Sequence, residues 1–171
     1  MKHLILAAAL CVASAAGTSF TRLPALAQDQ THGARAIDGD TIVTGGQRVR
    51  LAAIDAPELH QSCQLPSGPW ACGEVARVSL QTLIDASWAY RQTITCQNEG
   101  NDRYGRVVAT CHAGGMDLGA AMVGLGLAVP YMQYGGARYL GEYRQAVAER
   151  EGMHAGTFEN PAAWRHAHER R

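Results

Sequence analysis

The sequence predicts a mixed α+β protein, mainly β, and three observations carry that expectation. Short β-branched stretches alternate between residues 41 and 51, a second pair lies between residues 93 and 111, and three longer segments repeat apolar residues every three or four positions. A length of 171 residues fits one domain with a real core and leaves no room for a second.

The first strands are Thr41-Ile42-Val43-Thr44 and Val49-Arg50-Leu51, and Gly45-Gly46 between them supplies the positive φ angles of a tight hairpin. That register places Arg50 across from Thr41, beside Asp40. A carboxylate next to a guanidinium is either a surface ion pair, which is worth little, or half of a site in which a hard cation and a cationic fork grip one phosphate. Asp38, Asp40, Asp55 and Glu58 concentrate four carboxylates between residues 37 and 58. The hairpin alone does not return Asp55 to Asp40, so the second strand must curl as strands in small barrels do.

Leu59 to Ala71, with Pro66, Ser67, Gly68 and Pro69, reads as a loop by composition. Gly73 to Ala86 carries Val75, Val78, Leu80, Leu83 and Ile84, the apolar face of a first helix. Thr93 to Cys96 and Val107 to Cys111 read as strands, and the connection between them ends in Asp102-Arg103-Tyr104-Gly105-Arg106, which taken alone is a charged, solvated turn. Met116 to Leu127 reads as a shorter helix capped by Asp117, and Pro130 to Gly136 as a loop holding Tyr131 and Tyr134. A third helix is expected over Arg138 to Glu151, with Tyr139, Tyr143, Ala146 and Val147 on one side.

Lys2 and His3 precede an apolar run from Leu4 to Ala16, and Ala25-Leu26-Ala27 then offers a cleavage site. Residues 1–27 therefore read as a secretory signal peptide, too short in its apolar run for a membrane anchor. Residues 28–33 read as a flexible segment, 34–165 as the domain and 166–171 as a flexible tail. The first 27 residues hold Lys2 and Arg22 and no acid, so what remains has two more acids than bases and no lysine. A binder that relies on nonspecific phosphate attraction is basic, and this chain is not. Affinity for a polyanion must come from placed arginines and a bound cation. Without Cys11, the cysteines are Cys63, Cys72, Cys96 and Cys111, an even set in a chain expected to be exported. Of the three possible pairings, nearest neighbours fit best, with Cys63 to Cys72 closing the loop before the helix and Cys96 to Cys111 bridging two strands. A zinc site would want a C-x₂-C pair, which is lacking.

The ordered string Asp38-Gly39-Asp40-Thr41, Arg50, Asp55-Ala56-Pro57-Glu58 resembles the active-site hairpin of the staphylococcal nuclease (thermonuclease) family. Asp102 to Arg106 matches that family's second motif, and Gly126-Leu127-Ala128 and the closing segment from Gly152 also resemble it. The resemblance spans Ala34 to Arg165. It implies a five-stranded OB-fold Greek-key β-barrel with three packed helices. It further implies that Asp40, Asp55 and the Ala56 carbonyl hold Ca²⁺, that Arg50 and Arg106 bind the scissile phosphate, and that Glu58 orients or activates water. Tyr104 and Tyr134 would lie against the nucleotide. The sequence departs from the family at Met132, where a tyrosine would be expected, at His154, where a tryptophan is common, and at Ala56, which replaces a threonine. The expected protein is an exported, monomeric, Ca²⁺-dependent endonuclease of DNA and also RNA, periplasmic or secreted. The rivals are an OB-fold module that binds single strands or oligosaccharide without catalysis, and an exported interaction protein that keeps the fold only.

Overall fold

The computed structural model describes residues 34–168; the expected signal peptide, the segment 28–33 and residues 169–171 lie outside the described residues. Strands β1 (Arg35–Ala36), β2 (Thr41–Thr44) and β3 (Gln47–Leu51) run antiparallel in succession. Gly45 and Gly46, at φ 59° and 73°, form the two-residue turn, and Thr41 pairs with Arg50 as the alternation predicts. There follow β4 (Ile54–Asp55), β5 (Cys63–Leu65), β6 (Gly68–Trp70), helix α1 (Cys72–Ala89), β7 (Ile94–Asn101), β8 (Val107–Ala113), β9 (Met116–Asp117) and α2 (Leu118–Gly124). The described chain closes with β10 (Val129–Pro130), α3 (Leu140–Glu149) and α4 (Pro161–His168). The curled main sheet runs β1-β2-β3-β8-β7, with β9 against β8, and β3 pairs in parallel with β8. This is the α+β OB-fold architecture, with a fourth short helix beyond the three expected.

The curl has a local cause. Ala53 adopts a left-handed φ of 66° just after β3, at a cost on the order of 1 kcal/mol for a residue with a Cβ. Two hydrogen bonds hold the kink: Ala52 N–H donates to the Ala109 carbonyl (2.9 Å), and the Ala53 carbonyl accepts from Tyr131 N–H (2.8 Å). β4 thus leaves the main sheet, pairs with β10, and brings Asp55 opposite Val129.

Ile42, Leu51, Ile54, Leu80, Ile84, Leu118 and Met122 are fully buried, so the sheet's inner face, α1 and α2 share one core. The face that α1 buries runs through Ala76, Leu80, Ile84 and Ser87, whereas Val75 and Val78 are 41% and 47% exposed. These two valines were expected on the apolar face. Spacings of four, four and three residues align the buried set, and Val75 and Val78 lie off that line. In α3, Ala146 is buried and Tyr143 half-buried, but Val147, expected on the same side, is 44% exposed.

Three other expectations change. The segment read as a loop contains the β5–β6 hairpin, with Cys63 opposite Trp70 across the Pro66-Ser67 turn. The second helix begins later than expected, because Met116 and Asp117 pair with β8; Asp117 still caps it, accepting from Gly119 and Ala120 N–H. The tail expected from residue 166 is helical through His168. Asn160 accepts from Ala162 N–H, and Pro161 fills the first turn, where its missing N–H costs nothing. The cysteines pair as nearest neighbours, with Cα–Cα distances of 5.6 Å for Cys63–Cys72 and 4.1 Å for Cys96–Cys111.

His154 stands edge-on between Tyr143 (5.2 Å) and Phe158 (5.5 Å), and its Nε2 is buried without a partner. Burial lowers its pKa below the ordinary histidine value. The unfolded chain therefore takes up the proton first, and stability present above about pH 6.5 is lost as pH falls. His154→Phe removes that loss. Its urea midpoint relative to the parent is expected to rise between about pH 7.5 and about pH 5.5, and an unchanged difference would show that His154 takes up its proton as readily in the folded chain as in the unfolded one.

Candidate active site

Asp40 and Arg50 line the floor of a cleft of about 760 Å³, and Asp55 is paired to Arg50 beneath it. Arg50, on β3, reaches Asp40 Oδ1 through Nη1 (2.5 Å) and Asp55 Oδ1 through Nη2 (2.9 Å), and also donates to the Ile54 carbonyl (3.2 Å). A guanidinium has five N–H donors, so two remain. Asp40 Oδ2 accepts from Ala56 N–H (3.2 Å), which fixes the main chain that carries the Ala56 carbonyl. The side chains of Asp40 and Asp55 are only 7% and 2% exposed, so this is not the surface ion pair that the hairpin alone allowed. Burial and the neighbouring Asp40 charge raise the Asp55 pKa, against the pull of Arg165 and Arg50. Burial and Asp40 also push the Asp38 carboxyl up to about 6.

Glu58 stands on the rim, and the packing around it explains its placement. Its N–H donates to Gln61 Oε1 (3.2 Å), and Gln61 N–H returns a bond to the Glu58 carbonyl (2.7 Å). Gln61 is fully buried and donates through Nε2 to the Glu159 carbonyl (2.7 Å), tying this loop to the approach to α4. A Cβ at Gly73 would stand 1.8 Å from the Glu58 carbonyl oxygen, so glycine in the first turn of α1 lets the loop pass. The Cys63–Cys72 disulfide closes the same loop. Arg165, on α4, donates through Nε to Glu58 Oε1 (2.5 Å) and through Nη2 to Asp55 Oδ1 (2.7 Å).

The opposite wall comes from the turn between β7 and β8. Asp102 Oδ1 accepts from the N–H groups of Tyr104 and Arg106, both at 2.9 Å, and Asp102 Oδ2 accepts from Arg106 Nε at 2.6 Å. Asp102 is thus the organiser of the turn, and it leaves both Nη groups of Arg106 available at the cleft. Burial opposes ionisation of Asp102, but its bonds to Arg106 and Tyr104 hold its pKa below the ordinary value. Tyr104 and Tyr134 line the cleft, each 64% exposed, and Tyr131 meets Tyr134 edge-on at 4.7 Å.

The expected residues Asp40, Arg50, Ala56, Glu58, Tyr104, Arg106 and Tyr134 therefore share one cleft, with Asp55 just beneath it. Sequence reasoning missed Gln61, Asp102 and Arg165. Asp102 had a signal, since aspartate two residues before an N–H donor is a turn former. Arg165 had an indirect one in the Asn160-Pro161 helix start.

A hard divalent cation fits this donor set. Asp55 Oδ2 is buried with no hydrogen-bond partner, and three carboxylates, Asp40, Asp55 and Glu58, face the two guanidinium groups of Arg50 and Arg165. Among the described residues no group of three or more acidic, histidine or cysteine side chains is placed to enclose a metal ion. A cation here would thus rest on two carboxylates, a main-chain carbonyl and solvent oxygens.

Residues 48–155 match the family described as Staphylococcal nuclease homologue. Over 177 residues the chain is 33% identical to Micrococcal nuclease of Shigella flexneri, covering 94% of each. It is 32% identical over 135 residues to an uncharacterized endonuclease of Haemophilus influenzae, covering 75% of this chain and 68% of that one. It is also 41% identical over 98 residues to Succinoglycan biosynthesis protein ExoI of Rhizobium meliloti; that match covers 56% of this chain and 49% of the relative, about half its length.

Proposed function

The chain belongs to the staphylococcal nuclease homologue family and is a nuclease by that membership, and from this premise we propose that it is a Ca²⁺-dependent endonuclease hydrolysing phosphodiester bonds in DNA and RNA. The observation that carries the finer reading is the buried, unpartnered Asp55 Oδ2 beside Asp40, in a cluster with more carboxylates than guanidinium groups. Asp40, Asp55 and the Ala56 carbonyl would hold the cation, which when bound supplies positive charge against a phosphate oxygen.

The chain's own groups supply the rest. Glu58 keeps Oε2 clear of its bond to Arg165, so it can accept a hydrogen from the attacking water and orient it in line. The two remaining N–H groups of Arg50 and the Nη groups of Arg106 donate to phosphate oxygens as these gain charge in the transition state. Tyr104, Tyr131 and Tyr134 offer rings to bases without reading their edges, which suits cleavage with little sequence preference. The domain of this reading is 34–165 together with the rest of α4. It acts as an exported monomer after loss of residues 1–27, in periplasm or medium, and the two disulfides support such an oxidising setting. No helix among the described residues is long and apolar enough to cross a membrane.

The test is cleavage of plasmid DNA, single-stranded DNA and RNA by the disulfide-bonded protein, with Ca²⁺ and with chelator. Cutting is expected with Ca²⁺ alone, and Glu58→Ala is expected to lower it by a factor on the order of 10² to 10⁴. A folded protein that leaves all three substrates intact would return the OB-fold to the role of a binding module.

A further inference from the structure

Helix α4 is a wall of the cleft that lies beyond the family match, which ends at residue 155, and its Arg165 touches two of the carboxylates to which the proposed function gives roles. The fork is divided: Nε holds Glu58 Oε1 and Nη2 holds Asp55 Oδ1. Each carboxylate keeps its other oxygen, and Asp55 Oδ2 stays buried and unpartnered. The contact is not a loose surface pair. The Asp55 side chain is 2% exposed and that of Arg165 25%, Pro161 is buried, and Gln61 links the Glu58 loop to Glu159 just before the helix. Burial works against the charge on Arg165, yet the Glu58 bond and the Asp55 carboxylate hold its pKa above the ordinary value.

We propose that Arg165 is a positioning residue: it clamps Glu58 at a fixed place beside Asp55, so that Glu58 Oε2 faces the attacking water, and it tempers the pull of the Asp40–Asp55 pair on a divalent cation. The inference rests on the proposed function. A planar guanidinium spans two carboxylates in one orientation, which the single ammonium of lysine does not. Its positive charge beside Asp55 also repels a second cation. Its loss therefore has two effects of opposite sign: the cation binds more tightly, and the reaction slows because Glu58 is no longer held.

The experiment uses the full chain with both disulfides formed, as parent, Arg165→Gln and Arg165→Lys. Ca²⁺ affinity is measured by calorimetry without nucleic acid, and kcat and KM on a short single-stranded DNA. Arg165→Gln is expected to bind Ca²⁺ ~10-fold more tightly. Its kcat should fall ~10- to 100-fold, with KM for DNA within ~3-fold of the parent. Arg165→Lys keeps the charge without the fork, so it should restore the parent's Ca²⁺ affinity and only part of kcat. A helix with a merely structural role would give weaker Ca²⁺ binding together with slower turnover. That result, or a kcat for Arg165→Gln within ~2-fold of the parent, would overturn the inference while a Ca²⁺-dependent parent leaves the proposed function standing. A parent that binds no Ca²⁺ would overturn the cation reading and this inference together.

Discussion

Arg106→Ala is expected to lower kcat by a factor on the order of 10² to 10⁵ and to leave folding stability nearly untouched. The asymmetry follows from where the guanidinium sits. Its ion pair with Asp102 is 32% exposed on the arginine side, and such pairs are worth about 0–1 kcal/mol. Two main-chain bonds to Asp102 hold the turn without the Arg106 side chain. What the variant loses is a pair of Nη groups at the cleft, the groups proposed to meet the charge that builds on the phosphate oxygens. Arg106→Lys should recover a fraction of the rate, because a point charge remains but the two-pronged donor does not. Single-turnover rates on saturating DNA, set beside urea unfolding, separate the effects. Turnover close to the parent's would remove Arg106 from the reaction.

Arg50→Ala is expected to remove both activity and stability, the latter by about 3–5 kcal/mol in the absence of divalent cation. Arg50 neutralises two carboxylates that are almost wholly buried, and its removal leaves Asp40 and Asp55 facing each other with Arg165 alone on the Asp55 side. Asp55 is already harder to ionise than an ordinary aspartate because of burial and Asp40, and the deletion strengthens that penalty. Asp40→Asn combined with Arg50→Met sheds one charge of each sign and should recover much of the loss. Urea unfolding in chelator measures both variants. A loss below about 1 kcal/mol for Arg50→Ala would mean that the pair behaves as an exposed one.

The hairpin was legible because a period of two and a Gly-Gly turn fix register locally, so Thr41 opposite Arg50 followed from the residues alone. The return of Asp55 was legible only as a requirement. It depends on a left-handed Ala53, and alanine does not announce that conformation. Helix positions were readable in outline, but the packed side of α1 was set by what lay against it, which moved Val75 and Val78 outward. Arg165 escaped notice for a different reason. Its importance lies in contacts with Glu58 and Asp55, at separations of 107 and 110 residues, and no local pattern reports them.

The cleft draws its groups from Asp40 through to Arg165, and this spread limits what an unfinished molecule can do. Arg165 is added 110 residues after Asp55 as the chain is synthesised. Before Arg106 has been added, the emerging chain lacks one of the two arginines proposed to grip a phosphate, and β8, the strand that continues the sheet from β3, does not yet exist. Pairings between such distant segments also form late in folding. A cleft organised in this way is not complete until the last helix of the described chain has been added.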